Sequence, residues 1–379
     1  MSFDWQTEED GDWDDSDLTA SFPDEQKPKD GRRWLRWLLL LGILSLALAA
    51  AGWTLNRRVQ LGMERVEAEI LASVNLVDQA VAEQDADLAL AVLSGRDEQW
   101  SSWLLGQVKR GTLTEREGLG LLSLPVTQAV TPTIEMAADL LEAEVTTVQP
   151  YAIAVGNGLT ETVELAQTAV YRHGPNRWLL SPPALSFWGD IRQLEGQYIN
   201  LFYPERDKDI AQELLLSLDA KIGQICTQLP DFECPPGYQM VVDLSTDPAT
   251  FAQMTLTAAA AAAQQRHLTL PTPTLVGLPR DQAGEKALFR GYGQLVAASV
   301  LTDLWLYDCC DDAHSLLYFA LLRDTLRQVG LLPWPGEVGA AATTSDYDLL
   351  FAQGPPSLFA DPSFWYQMED GTLIMPDKR

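Results

Sequence analysis

Between Trp37 and Leu55 the chain runs for nineteen residues without a charge, and no other stretch restricts its fold as much. At about 1.5 Å per residue, a helix of that length nearly crosses a hydrocarbon layer roughly 30 Å thick. Trp34, Trp37 and Trp53 stand at its two ends, where indole rings favour the headgroup region. The segment reads as a transmembrane helix or an export signal, which places the residues after it outside the cytoplasm. Lys27, Lys29, Arg32, Arg33 and Arg36 precede the span, against Arg57, Arg58 and Arg65 after it. That bias predicts a cytoplasmic N-terminus, because acids count little in the rule. Ala47, Leu48 and Ala49 have the small-x-small form of a cleavage site, so cleavage is the rival reading. The leader is more than thirty residues long and acidic, unlike the short basic region of a signal peptide, and this favours an uncleaved anchor.

The formal net charge is −27. Eleven acids and five bases fall in the first 55 residues, leaving 42 acids and 21 bases beyond them. An exterior of net −21 argues against nucleic acid or an anionic lipid surface as partner and suits a soluble acidic surface. The hydrophobic fraction of 46% is that of a globular protein able to bury a sizeable core. All four cysteines, Cys226, Cys234, Cys309 and Cys310, follow the span, in a compartment where disulfides persist.

Residues 1–33 read as a disordered acidic tail, with Pro23 and Pro28 interrupting any helix. Phe3, Trp5 and Trp13 are out of place in such a tail and mark a candidate motif for docking a basic cytoplasmic protein. Asp10 to Asp17 is not a calcium loop, since the sixth position is Asp15 rather than Gly and the twelfth is Ser21 rather than Glu. After the span (34–55) comes a juxtamembrane helix (56–73). Val66, Ile70, Val74, Val77 and Val81 form one apolar face within a helical run from Val59 to Leu93. Beyond Pro125 the period changes to two. Ala143, Val145 and Thr147 alternate with Glu142, Glu144 and Thr146, and Val163, Leu165, Ala169 and Tyr171 alternate with polar residues, as in half-buried antiparallel strands. Gly156 to Gly158 and His173 to Asn176 supply the turns.

A second unit starts near Ile191. It has a strand over Tyr198–Tyr203, a long helix marked by Ile210, Leu214, Leu218, Ile222, Ile225 and Leu229, and a strand over Met240–Leu244. A helical Ala258–Ala263 run ended by Pro271 and Pro273 follows, then two helices, about Glu285–Tyr307 and Ala313–Val329. Residues 336–379 read as an irregular tail with an aromatic knot at Phe364 to Tyr366. The class is α+β: an N-terminal membrane helix, then a helix-plus-curved-antiparallel-sheet unit and a second α/β unit.

The helix, Gly/Asp break and Trp-rich helix of Val74–Leu105, followed by hairpins that close on Arg177–Pro183, Phe187 and Trp188, resemble the nuclear-transport-factor-two-like (cystatin-like) cone. The stretch Glu195–Pro204, with its long helix and the Val241 strand, resembles the opening of a peptidase MA-like (gluzincin) domain. The resemblance implies a cone over 74–190 and a peptidase-like domain over 191–335, as in membrane-anchored bacterial proteins that join two such modules. It implies a zinc peptidase only if His-Glu-x-x-His is present, since the histidines hold the metal and the Glu is the base. The helix expected to carry that motif, Leu288–Ser299, has no His and no Glu. The three histidines, His173, His267 and His314, share no ligand spacing. A degenerate peptidase without catalysis, metal or cofactor is therefore expected.

Other chemistries are as poorly supported. No Gly-x-Ser-x-Gly elbow occurs, and Gly291-x-Gly293 lacks a third glycine and a preceding strand. Cys309 and Cys310 lie near His314, and a Cys–His dyad there stays open beside the plainer reading of a packed pair. Asp139, Glu142 or Glu144 in a cone pocket are weaker candidates, because alternating acids usually mark a solvated strand face. Cys226 and Cys234 bracket a short loop containing Pro230 and are the expected disulfide, whereas adjacent Cys309 and Cys310 cannot bridge each other without distortion. These observations predict a single-pass membrane protein that binds or senses an unidentified exterior ligand and signals through its tail. An exported enzyme and a structural envelope protein are the alternatives.

Overall fold

An unbroken helix, α1 (Gly31–Glu83), carries the apolar run. The computed structural model describes residues 31–126, 130–156, 158–228, 234–305, 315–333, 366–367 and 373–374. It divides into two units, 1–65 and 66–379. In the first, the helix is long and apolar enough to cross a membrane, and none of its most apolar window is buried in the protein. The polar side chains within it are satisfied locally, as hydrocarbon would require. Ser45 Oγ donates to the Leu41 carbonyl at 2.9 Å and Thr54 Oγ1 to that of Ala51 at 2.9 Å. The guanidinium of Arg57 lies 5.6 Å from the Trp53 ring. The segments expected at 34–55 and 56–73 are one helix, because no proline or capping sequence interrupts them. The expected helical run to Leu93 instead breaks at Gln84, where φ is 55°.

In the second unit, Asp85 restarts the chain as α2 (Ala86–Val92), its carboxylate accepting from the Asp87 and Leu88 amides. Asp97 caps α3 (Glu98–Arg110) in the same way, and Gly111 ends it in the left-handed region. A 3-10 turn (Glu117–Leu119) leads to the strands β1 (Leu121–Ser123), β2 (Thr133–Met136), β3 (Glu142–Gly156), β4 (Leu159–His173) and β5 (Trp178–Ser181). β1 and β2 pair with β3, β3 with β4, and β4 with β5, all antiparallel, in a curled sheet. Gly156 and Gly158 carry the positive φ of the β3–β4 turn. Each of these two strands is fifteen residues long, or roughly 50 Å at 3.3 Å per residue, and one face of each serves two cores. Ala143, Val145 and Tyr171 pack with Ile70, Val74, Ala89, Leu104 and Trp178. Tyr151, Ile153, Val163 and Leu165 belong to a second, larger core.

That larger core is built by the rest of the chain. After α4 (Leu185–Trp188) come β6 (Ile191–Glu195), β7 (Ile199–Pro204), a 3-10 turn (Glu205–Asp207), α5 (Lys208–Gln228) and β8 (Met240–Ser245). A 3-10 stretch (Pro248–Gln253), α6 (Leu256–Ala261), β9 (His267–Pro271), α7 (Pro273–Val276), β10 (Leu278–Pro279), α8 (Gln282–Leu304) and α9 (Ser315–Gln328) follow. A separate short pair, β11 (Tyr366–Gln367) and β12 (Leu373–Ile374), lies within the segment expected to be irregular. The four-stranded sheet runs β6-β7-β8-β9, with β6 antiparallel to β7 and the other neighbours parallel. β9 lies between the alanine run and the prolines expected to end it, where the sequence predicts no strand: Leu268 and Leu270 alternate inward, a period-two signal only five residues long. The Gly196 turn between β6 and β7 is held by Asp219 of α5, whose carboxylate accepts from the Gln197, Tyr198 and Ile199 amides. A Cβ at Gly196 would meet that carboxylate at 2.3 Å. β10 then pairs with β4, Leu278 opposite Ala166, so this half of the chain contributes a strand to the curled sheet.

Candidate functional site

Among the described residues the four-stranded sheet is covered on one face only. Ile199, Leu201, Tyr203, Met240, Val242, Leu244, Leu268 and Leu270 point into the core with α5 and α8. Sheets with parallel strands are normally covered on both faces, yet the alternate residues here are partly exposed. Register orders that open face into rows. Glu195, Asn200, Val241 and His267 form one, and Gln193, Phe202, Asp243 and Thr269 the next. An open concavity of about 400 Å³ lies here, lined by Ile191, Phe202, Val241, Asp243, Leu244, Ser245, Thr246 and His267. Apolar walls and a few polar groups line it.

Asp243 sits in the middle row. Burial pushes its carboxyl above the usual carboxylate range, and the imidazole of His267 works in the opposite direction. Among the described residues no hydrogen bond or ion pair reaches that carboxylate. In the adjoining row, Asn200 Oδ1 is buried without a donor, while its amide nitrogen donates to Gln239 at 3.2 Å. Ser, His and Asp share this face, but in the wrong order for a nucleophilic relay, which needs His between Ser and Asp. His267 is level with Val241, so Ser245 is four residues further along, roughly 13 Å, with Asp243 between them. Ser245 Oγ accepts from the Asp247 amide at 3.1 Å. The arrangement presents a carboxylate, an imidazole, hydroxyls and an apolar surface.

The helix expected to carry peptidase chemistry is sealed. Gly291, Tyr292, Gly293 and Gln294 of α8 are all buried. A Cβ on Gly291 would lie 2.7 Å from Leu119, and one on Gly293 2.8 Å from Leu331. Tyr292 donates to the Pro271 carbonyl at 2.6 Å and Gln294 to that of Leu331 at 2.8 Å. Among the described residues no three His, Cys, Asp or Glu gather as metal ligands. Compared with protein-family models, curated proteins and solved structures, the chain matches none.

Two buried charges near α8 act within the fold. Asp207 is 1% exposed and accepts from the hydroxyls of Thr272 and Thr274, the second at 2.5 Å. Burial raises its pKa, while the two threonines and Arg206 oppose that rise. Arg116, 5% exposed, donates to the carbonyls of Leu113, Glu115, Leu275 and Val276. Its guanidinium lies 4.3 Å from the Phe251 ring. Every donor group of Arg116 is thereby engaged with the protein itself.

Of the residues singled out from sequence, Cys226 and Cys234 are joined in a disulfide with Cα atoms 5.3 Å apart. Glu142 pairs with Arg172 at 2.7 Å and Glu144 with Arg206 at 2.5 Å. Asp139 caps the Leu141 amide. These acids are therefore engaged in holding the sheet. His173 stacks edge-on against Trp178 at 5.4 Å, away from His267. Phe3, Trp5, Trp13, Cys309, Cys310 and His314 lie outside the described residues. Sequence reasoning passed over Asp243, whose signal was a lone acid at an alternating position in an otherwise apolar strand.

Proposed function

We propose that this chain is a single-pass membrane protein whose exterior part binds a ligand without transforming it. The observation that carries the reading is the open concavity around Asp243, where a carboxylate without a donor and an aromatic ring stand on a rigid sheet with no nucleophile–base pair beside them. The apolar part of α1 supplies the anchor, with the N-terminus in the cytoplasm. Phe3, Trp5 and Trp13 in the acidic tail dock a basic cytoplasmic protein, which makes the chain a sensor. The departure from His-Glu-x-x-His, together with the glycine-packed α8, argues for binding rather than peptidase chemistry.

A fluorine-NMR screen of fluorinated fragments of all three charge types, run on the full chain in lipid nanodiscs, tests the binding site. Fragments that broaden with the native chain should be released by Val241→Trp, which fills the concavity from its solvent side. If no fragment distinguishes the two proteins, the concavity is not a ligand site.

A further inference from the structure

The chemistry of the open face specifies a class of ligand, an inference that rests on the concavity being a binding site. Two acceptors there receive no hydrogen bond, the carboxylate of Asp243 and, in the next row, Asn200 Oδ1, and the His267 imidazole lines the same space. Phe202 stands directly beside Asp243 on β7, and Val241 precedes it by two residues on the same face. An anion placed there would be repelled by Asp243. A neutral apolar molecule would remove water from a carboxylate and offer no donor in return, which is unfavourable. A divalent metal ion would find one carboxylate and one imidazole, too few protein ligands to hold it.

A protonated amine meets each requirement. Its N–H groups satisfy the carboxylate by charge-assisted hydrogen bonds, its positive charge is attracted to the face of an aromatic ring, and an apolar body covers Ile191 and Val241. At about 400 Å³ the space is at the small end of ligand sites. We propose that the concavity binds a small organic ammonium ion free in solution, with the ammonium on Asp243 and against Phe202.

The test uses 4-fluorophenethylamine, with 2-(4-fluorophenyl)ethanol as neutral isostere and 4-fluorophenylacetate as anion. Each is titrated by fluorine NMR against the full chain in zwitterionic nanodiscs, with empty discs subtracted. The amine should bind at least about tenfold more tightly than the other two, the worth of one charge-assisted hydrogen bond. Asp243→Asn should weaken the amine by a similar factor, leave the alcohol unchanged and leave the melting temperature near that of the native chain. Phe202→Leu should weaken the amine to a smaller extent. If the alcohol binds as tightly as the amine and Asp243→Asn changes nothing, the ligand class is wrong while the site stands. A lysine-containing peptide that outcompetes the amine overturns the assignment to a small molecule. If no probe binds beyond empty discs, both the class and the site reading fail.

Discussion

Asp207 and Arg116 show how the environment of one residue sets its energetic role. Asp207 is a carboxyl whose pKa is raised by burial, so the folded state holds its proton more tightly than the unfolded chain does. The stability it contributes is fully present below the ordinary aspartate range and is lost as pH rises through the raised folded value. Its surroundings are Thr272, Thr274, Arg206 and, through space, Tyr292. Asp207→Asn keeps an acceptor for the threonines and cannot titrate. Urea unfolding of the full chain in detergent between pH 4 and pH 7 should therefore show a flatter dependence in Asp207→Asn than in the native chain; an unchanged slope would overturn this account. Asp207→Ala leaves hydroxyls unpaired and should cost about 2–3 kcal/mol at pH 4 and less as the pH rises. Neither Asp207 nor Arg116 stands out in sequence. Each lies in a run of charges, Glu115 to Glu117 and Glu205 to Asp209, that reads as solvated. Leu113 and Glu115 are local partners of Arg116, but its other carbonyls and both hydroxyls on Asp207 come from residues about 65 to 160 positions away, which no local pattern reports.

Among elements, α5 and α8 carry the larger core in different ways. α5 is amphipathic, and its Leu214, Leu218, Ile222 and Ile225 stripe is legible because its opposite face meets water. α8 is buried through most of its length, so it lacks a single apolar stripe, and its neighbours approach through glycine. Gly291→Ala would press a methyl group against the Leu119 backbone. It should lower stability by about 1–3 kcal/mol, as overpacking does, measurable as a reduced midpoint in thermal unfolding. A shift below experimental error would show that the Leu119 turn gives way freely. The loop from α5 to β8 is tied by Cys226–Cys234. In exported protein, peptide mapping without reductant should recover that linked pair. Cys226→Ser should lower stability by about 2–3 kcal/mol, the loop-entropy value for so short a closure. A free Cys226, or one linked to Cys309 or Cys310, contradicts the structure. The five-residue β9 shows the limit of pattern reading at this scale: its pairing with β8 defines it, while its sequence adjoins an alanine helix and two prolines.

For the whole molecule, topology is the prediction that matters. With Met1 inside and the exterior unit attached, protease added to intact cells should remove the exterior unit and leave a small anchored N-terminal fragment. Recovery of a soluble chain beginning near Ala50 would show instead that the apolar segment is cleaved. The sequence by itself determined the apolar helix, the period-two strands β3 and β4, the amphipathic α5 and the absence of His-Glu-x-x-His, because each is a local property: length, alternation, spacing or composition. Tertiary structure decided what is shared between distant segments. It made one long hairpin serve two cores, added β10 to the curled sheet, buried Asp207 and Arg116, and left one face of β6 to β9 uncovered by any other described residue, with Asp243 at its centre. Burial and pairing depend on which surfaces meet, and that is fixed only when the chain closes on itself.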